Sequence, residues 1–163
     1  MNNPTTAHGT GVSAFYNMNT YESRPSIPCL QVNPNAQLPQ RQHSTDAGAD
    51  LFSCEDIDLY PEETKLVGTG ISVKIPQGYT GLIFNRSSQG KRGIILPNSV
   101  GVIDTDYRGE LKVILKNISN DLYKIKCGDR IAQLVIVPIK LVDFHDSWND
   151  TERGSGGFGS TGK

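Results

Sequence analysis

The chain has 163 residues, the length of one ordinary domain, since single cores run from roughly 50 to 200 residues, and two catalytic domains will not fit. Its 41 Leu, Ile, Val and Phe residues make up a quarter of the chain, enough for a core, and Val plus Ile outnumber Leu by 24 to 12, which favours strands over helices. Sixteen basic against 17 acidic residues leave no positive surplus to release counterions from a phosphate backbone, so a general DNA or RNA coat is excluded.

Residues 1–26 hold only Val12 and Phe15 among these large apolar types and read as a flexible N-terminal arm, a candidate segment for a protein partner. The first residues, Met1 to Thr6, lack the charged and apolar regions of a signal peptide, and no stretch approaches the roughly 18 apolar residues of a membrane span. The expectation is a soluble, cytoplasmic protein with no membrane partner. From Pro28 the texture changes. Cys29-Leu30-Gln31-Val32, Ala49-Asp50-Leu51-Phe52, Ile71-Ser72-Val73-Lys74-Ile75 and Leu111-Lys112-Val113-Ile114-Leu115 are short segments, several of which alternate apolar and polar as half-buried strands do. Turn residues at Asn33-Pro34-Asn35 and Pro76-Gln77-Gly78 separate them.

After Arg86 the sequence predicts one short helix, with Ser87 or Ser88 capping Gln89 to Arg92 and Gly93 stopping it. Gly101 to Gly109 predicts a tight hairpin that displays acidic and aromatic groups. The run Ile131 to Val137 is apolar on both faces except for Gln133, the pattern of a central strand buried twice, whose lone amide needs a partner. Residues 146–163 change character again: five of the 17 glycines fall in the nine residues from Gly154 to Gly162. Such a tail is a flexible end or, with Arg153 and Phe158 set among backbone N–H groups, a flap that wraps phosphate. The chain therefore divides into an arm (1–26), one β domain (27–145) and a flexible tail (146–163).

Several motifs are decoys. Gly154 to Gly159 satisfies GxGxxG and Gly157 to Lys163 most of a Walker A, but each motif works by feeding a glycine turn into a helix whose N-terminus holds the phosphate, and no helical pattern follows. The sequons at Asn85, Asn117 and Asn149 mean little without secretion. Cys29, Cys54 and Cys127 lack CxxC spacing and fit thiols in a reducing compartment. His8, His43 and His145 have no metal-ligand spacing, and no Ser or Cys sits in a nucleophile elbow, so a zinc site and covalent catalysis are both disfavoured.

What remains is a set of small polar clusters: Asp46 to Asp50 at the entry to an apolar strand, Asn85-Arg86-Ser87-Ser88 at a helix start, Gly101 to Gly109, and Gly128-Asp129-Arg130 leading to Gln133. Each alone is turn chemistry. Together they supply guanidinium groups for phosphate, hydroxyls, carboxylates for a hydrated Mg²⁺ and aromatics for a base, the inventory of a nucleoside triphosphate site.

Taken in order, Ala47 to Ser53, Asn85 to Gly90, Asn98 to Glu110, Gly128 to Leu134 and Arg153 to Lys163 resemble the five motifs of the homotrimeric dUTP pyrophosphatases (dUTPases). Two positions depart from the commonest form: Asn85 stands where Pro, Ala or Gly is usual, and Gln89 where Leu is common. The resemblance implies an all-β fold, a distorted jelly-roll (β-clip) of short strands with at most one short helix. It also implies a homotrimer in which each site draws on three subunits, one of them lending its tail.

The implied reaction is hydrolysis of dUTP to dUMP and pyrophosphate, lowering dUTP and supplying dUMP for thymidylate synthesis. Asp104 is the expected base that orients and deprotonates water; aspartic acid is already ionised at neutral pH at its reference pKa of about 3.9, so position matters more than tuning. The expected cofactor is Mg²⁺, with Asp50 and Gln133 acting through its waters. Arg86, Ser87 and Ser88 are expected on the phosphates, while Arg153 and the tail residues Gly157, Phe158, Gly159 and Ser160 close over the nucleotide, Phe158 stacking on uracil. Tyr107 is expected beneath the deoxyribose, leaving no space for a 2′-OH. Asn98 and the backbone of Gly101, Val102 and Ile103 are expected to read the uracil edge, a polar match that discriminates strongly because a wrong edge leaves buried groups unpaired. The alternatives are a dCTP deaminase-type enzyme of the same fold, which shares an Arg-Ser-Ser motif, and a nucleotide-sensing regulatory interaction protein.

Overall fold

The computed structural model describes residues 26–152 and 154–156. Most of the proposed N-terminal arm, together with Arg153, Gly157, Phe158, Gly159 and Ser160, lies outside the described residues. The described chain is nearly all β, as the Val and Ile content requires. Its strands are β1 (Cys29–Gln31), β2 (Ala49–Phe52), β3 (Ile57–Leu59), β4 (Thr64–Gly68), β5 (Ile71–Val73), β6 (Tyr79–Phe84), β7 (Ile94–Ile95), β8 (Gly101–Ile103), β9 (Lys112–Asn117), β10 (Tyr123–Ile125) and β11 (Arg130–Pro138), with one helix, α1 (Ser87–Gly90). No described helix is long and apolar enough to cross a membrane.

Four small antiparallel sheets share the strands. The largest runs β2-β11-β6-β8, a second β4-β9-β7, and two pairs join β1 to β5 and β3 to β10. The apolar run around Gln133 becomes β11, which is central in its sheet, between β2 and β6. Its first half is buried and its second half only half-buried, so the expectation of a strand covered on both faces holds from Ile131 to Leu134. Leu51, Leu59, Ile71, Ile94, Leu111, Leu115, Ile125 and Ile131 are fully buried and join the sheets into one core. Each such side chain is worth about 1.5–3 kcal/mol relative to exposure.

Asn117 shows why its sequon is a decoy. The residue is fully buried; its Nδ2 donates to the carbonyls of Leu59 (2.9 Å) and Asp121 (2.8 Å), and its Oδ1 accepts from the Ser119 backbone N–H and hydroxyl. With all its hydrogen-bonding groups engaged, the amide ties β9 to the end of β3 and to the turn at 119–121.

Two local expectations are corrected. The helix lies two residues earlier than Gln89 to Arg92: it runs Ser87–Gly90, Arg86 is its N-cap in extended conformation, and no side chain caps it. The serines are therefore inside the helix, with Ser87 and Ser88 both exposed. Asn85 organises the entry in place of a cap, its Oδ1 accepting from the Arg86 N–H (2.9 Å) and its Nδ2 donating to the Ile94 carbonyl (2.8 Å). Gly93, at φ +76°, ends the turn as expected, since that left-handed conformation suits glycine.

The second correction concerns Gly101 to Gly109, which makes no hairpin with itself. Gly101–Ile103 pairs with β6 through Ile83↔Gly101 and Gly81↔Ile103, and a turn follows in which the Tyr107 N–H donates to the Asp104 carbonyl (3.2 Å). An available ladder on β6 outcompeted a local pairing that short-range turn signals alone suggest.

Candidate active site

The first cluster forms where three strands align. Asp50 on β2 pairs with Gln133 on β11, and Gln133 pairs with Phe84 on β6, two residues before Arg86. Asp50 is only 3% exposed, so its charge requires partners. Arg86 Nε donates to Asp50 Oδ1 at 3.0 Å, and Arg130 Nη1 donates to Oδ2 at 3.2 Å. Gln42 Nε2 adds a bond to Oδ2 (3.2 Å), and Gln133 Nε2 approaches Oδ1 at 3.5 Å. The Gln133 amide thus has the partner its apolar setting demanded.

Arg86 is further held by Nη1 on the Arg130 carbonyl (3.1 Å), an oxygen that also accepts from Gln89 Nε2 at 3.4 Å. One carboxylate between two guanidinium groups leaves a net positive patch. The Arg86 Nη2 has no partner among the described residues and can donate to an anion. Exposed Ser87 and Ser88 stand at the same helix start.

Arg130 stood in one of the polar clusters of the sequence but was given no role of its own; the structure makes it the second partner of Asp50. It follows Gly128-Asp129 at the start of the apolar strand, where the register shifts between Arg130 and Ala132. Such a bulge re-aims a side chain. A charged residue three positions before the lone Gln133 was the available signal. Gln89 is also informative: it is buried, and its Oε1 has no hydrogen-bond partner among the described residues.

The second cluster is a cavity of about 330 Å³ lined by Val102, Ile103, Asp104 and Tyr107, together with Leu66 and Glu110. Asp104 is exposed. The Tyr107 hydroxyl donates to the Glu110 carbonyl at 2.9 Å, and Arg108 Nη1 braces the turn by donating to the carbonyls of Thr105 (2.7 Å) and Tyr107 (2.8 Å). Asn98 is exposed, before β8, its Nδ2 on the Val100 carbonyl at 3.4 Å.

The structure therefore gathers Asp50, Arg86 and Gln133 with the two serines, and separately Val102, Ile103, Asp104 and Tyr107. It does not bring the two groups together within one chain. Asp104 follows Ile103, whose partner is Gly81, while Gln133 and Asp50 align with Phe84. That offset of four residues, Phe84 to Thr80, is about 13 Å along the strands, and β2 to β8 is three strand spacings, about 14 Å across.

The sequence model of the dUTPase family matches residues 34–162. The chain belongs to the dUTPase family. Among related dUTPases, the deoxyuridine 5′-triphosphate nucleotidohydrolase of Corynebacterium diphtheriae is 45% identical over 150 residues, covering 89% of this chain and 99% of that protein. The enzyme of the same name from Nautilia profundicola is 47% identical over 136 residues, 82% of this chain and 96% of that protein. Among solved structures, the dUTPase of Staphylococcus phage 80α with dUPNHPP superposes with a TM-score of 0.73 at 34% identity, over 85% of this chain and 99% of that one. A mutant dUTPase of phage phi11, described with a structural Mg(II) ion, gives 0.71 at 30% identity, over 77% of this chain and 98% of that one. These dUTPase structures share the jelly-roll-like, nearly all-β fold of the present chain.

Proposed function

We propose that the chain hydrolyses dUTP to dUMP and pyrophosphate in sites shared between the subunits of a homotrimer. The observation that carries the reading is the buried Asp50 carboxylate held between Arg86 and Arg130, with one Arg86 nitrogen left to grip a phosphate. The separation of this cluster from Asp104 supports the sharing: water orientation and phosphate binding come from different chains. Exposed apolar residues fit the same assembly, since Leu66 (57%) and Val102 (63%) flank the Asp104 cavity, and Leu141, Phe144 and Trp148 stand out beyond β11.

In this mechanism Asp104 accepts a proton from water, the resulting hydroxide forms a bond to the α-phosphorus, and the bond from that phosphorus to the bridging oxygen breaks. Pyrophosphate leaves with the electron pair, and no covalent intermediate is needed. Arg86, Ser87 and Ser88 hold the phosphates. Tyr107 lies beneath the deoxyribose, and Asn98 with the backbone of Gly101, Val102 and Ile103 reads the uracil edge. Arg153, Gly157, Phe158, Gly159 and Ser160 of a third subunit close over the nucleotide and exclude water.

The donor set fits Mg²⁺ in one way only. Both Asp50 oxygens already accept from guanidinium groups, and no group of three His, Cys, Asp or Glu among the described residues could ligate a metal. Asp50 and Gln133 would therefore hold Mg²⁺ through its waters, as suits a cation that dehydrates reluctantly. When bound, the ion offsets phosphate charge in the transition state.

A coupled pyrophosphate assay across the deoxynucleoside triphosphates with Mg²⁺ tests the reading. Release from dUTP alone is expected; ammonia release from dCTP overturns it in favour of a deaminase, and binding without turnover in favour of a sensor.

A further inference from the structure

Tyr107 rests on Gly109. A Cβ placed on Gly109 would fall against the Tyr107 hydroxyl oxygen, 2.6 Å from its Cζ and 3.0 Å from its Cε2. The ring thus occupies the space that any side chain at 109 would take. Gly109 is not among the glycines with positive φ, so backbone conformation does not explain why glycine stands there; the ring does.

The surrounding turn makes the position of that ring definite. The hydroxyl is tied to the Glu110 carbonyl at 2.9 Å, and Glu110 Oε1 accepts from the Gly70 N–H at 2.8 Å. The Arg108 carbonyl accepts from Ser72 Oγ at 2.8 Å, while its guanidinium bridges Thr105 and Tyr107. The hydroxyl is therefore committed to main chain and the ring is held at both ends, low over residue 109. The same ring lines the cavity beside Asp104.

We infer that Gly109 is a specificity-positioning residue: by lacking a side chain it sets the height of the Tyr107 ring and so the space beneath the sugar, which decides between a 2′-deoxyribose and a ribose nucleotide. The inference rests on the reading of Tyr107 as the sugar platform. Gly109 touches no substrate and acts through Tyr107. An added methyl lifts the ring or breaks its tie to Glu110, because an exposed ring end moves more readily than the braced backbone.

Three variants test this: Gly109→Ala, Tyr107→Ala and the double variant, each assayed for kcat and KM with dUTP and with UTP. Gly109→Ala is expected to lower the preference for dUTP over UTP by about 10- to 100-fold, the cost of an ångström-scale misplacement. It is expected to add nothing in the Tyr107→Ala background, as residues acting in series should. If Tyr107→Ala lowers the preference and Gly109→Ala does not, the role of Gly109 is overturned while the function stands. If Tyr107→Ala leaves the preference unchanged, the sugar platform itself is overturned. Should Gly109→Ala melt early, the ratio of kcat/KM for dUTP to that for UTP, measured below its melting temperature, is independent of the folded fraction; an unchanged ratio there overturns the inference as well.

Discussion

Asp104 and Asp50 stand at opposite corners of one four-stranded sheet, three strand spacings apart across it and four residues apart along it. In the proposed reaction the first activates water and the second steadies the phosphate grip, so the corner of one subunit meets the opposite corner of another. Mixing makes this visible. Asp104→Asn and Arg86→Ala trimers, each inactive alone, are expected to regain activity when unfolded together and refolded. Random assortment restores about one quarter of the sites. No recovery would show that each site belongs to a single chain.

Asp104→Asn retains the shape of the side chain and removes the base. Turnover is expected to fall by about 10² to 10⁴, with dUTP still bound. Single-turnover kinetics and calorimetric titration separate these effects, and near-normal turnover would remove Asp104 from the role.

Asp50→Asn leaves Arg86 and Arg130 without their shared counter-charge. Because Asp50 is buried while Arg130 is partly exposed, the loss of stability is expected at about 1–3 kcal/mol, below that of a fully buried pair. Urea denaturation checks it, and an unchanged midpoint would mean that the pairs contribute nothing net.

Gln89→Leu removes the buried acceptor that has no partner among the described residues along with a long bond to the Arg130 carbonyl. A gain of about 1 kcal/mol is expected, since an unsatisfied buried group costs more than a weak bond contributes. Destabilisation in the same denaturation experiment would point to a donor that reaches Oε1 in the assembled protein.

The acid limb of stability is expected to involve Asp56. Its carboxylate is held below the usual range by Lys126 Nζ and the Cys127 N–H. A depressed folded pKa contributes stability that is fully present above the unfolded value, near 3.9, and is lost as pH falls through the folded one. The melting temperature of Asp56→Asn should therefore lie slightly below that of the parent at neutral pH and converge with it below about pH 4. A gap that persists in acid would assign the difference to packing.

Much of this molecule was legible along the chain. The alternation at Ile71–Val73 and the apolar run at Ile131–Val137, interrupted only by Gln133, marked strands because side-chain direction in a strand is a local property. Asp50, Arg86 and Gln133 stood out as polar residues in or beside apolar segments, and the structure gathers these three into one cluster. β8 was misread because the choice between a hairpin and a place beside β6 depends on which ladder is available, and residues 101–109 carry no record of β6.

What was legible and what was not separates by range. By itself the sequence determined an all-β domain, its central strand, the short helix after Arg86 and a set of polar clusters suited to a nucleotide, all from periodicity and local chemistry. Only the tertiary structure decided that Asp50 is shared by Arg86 and Arg130, 36 and 80 residues away, that Tyr107 lies over Gly109, and that Asp104 faces a separate cavity. Those are matters of strand order and register, set by which faces bury together, and burial is a property of the whole fold.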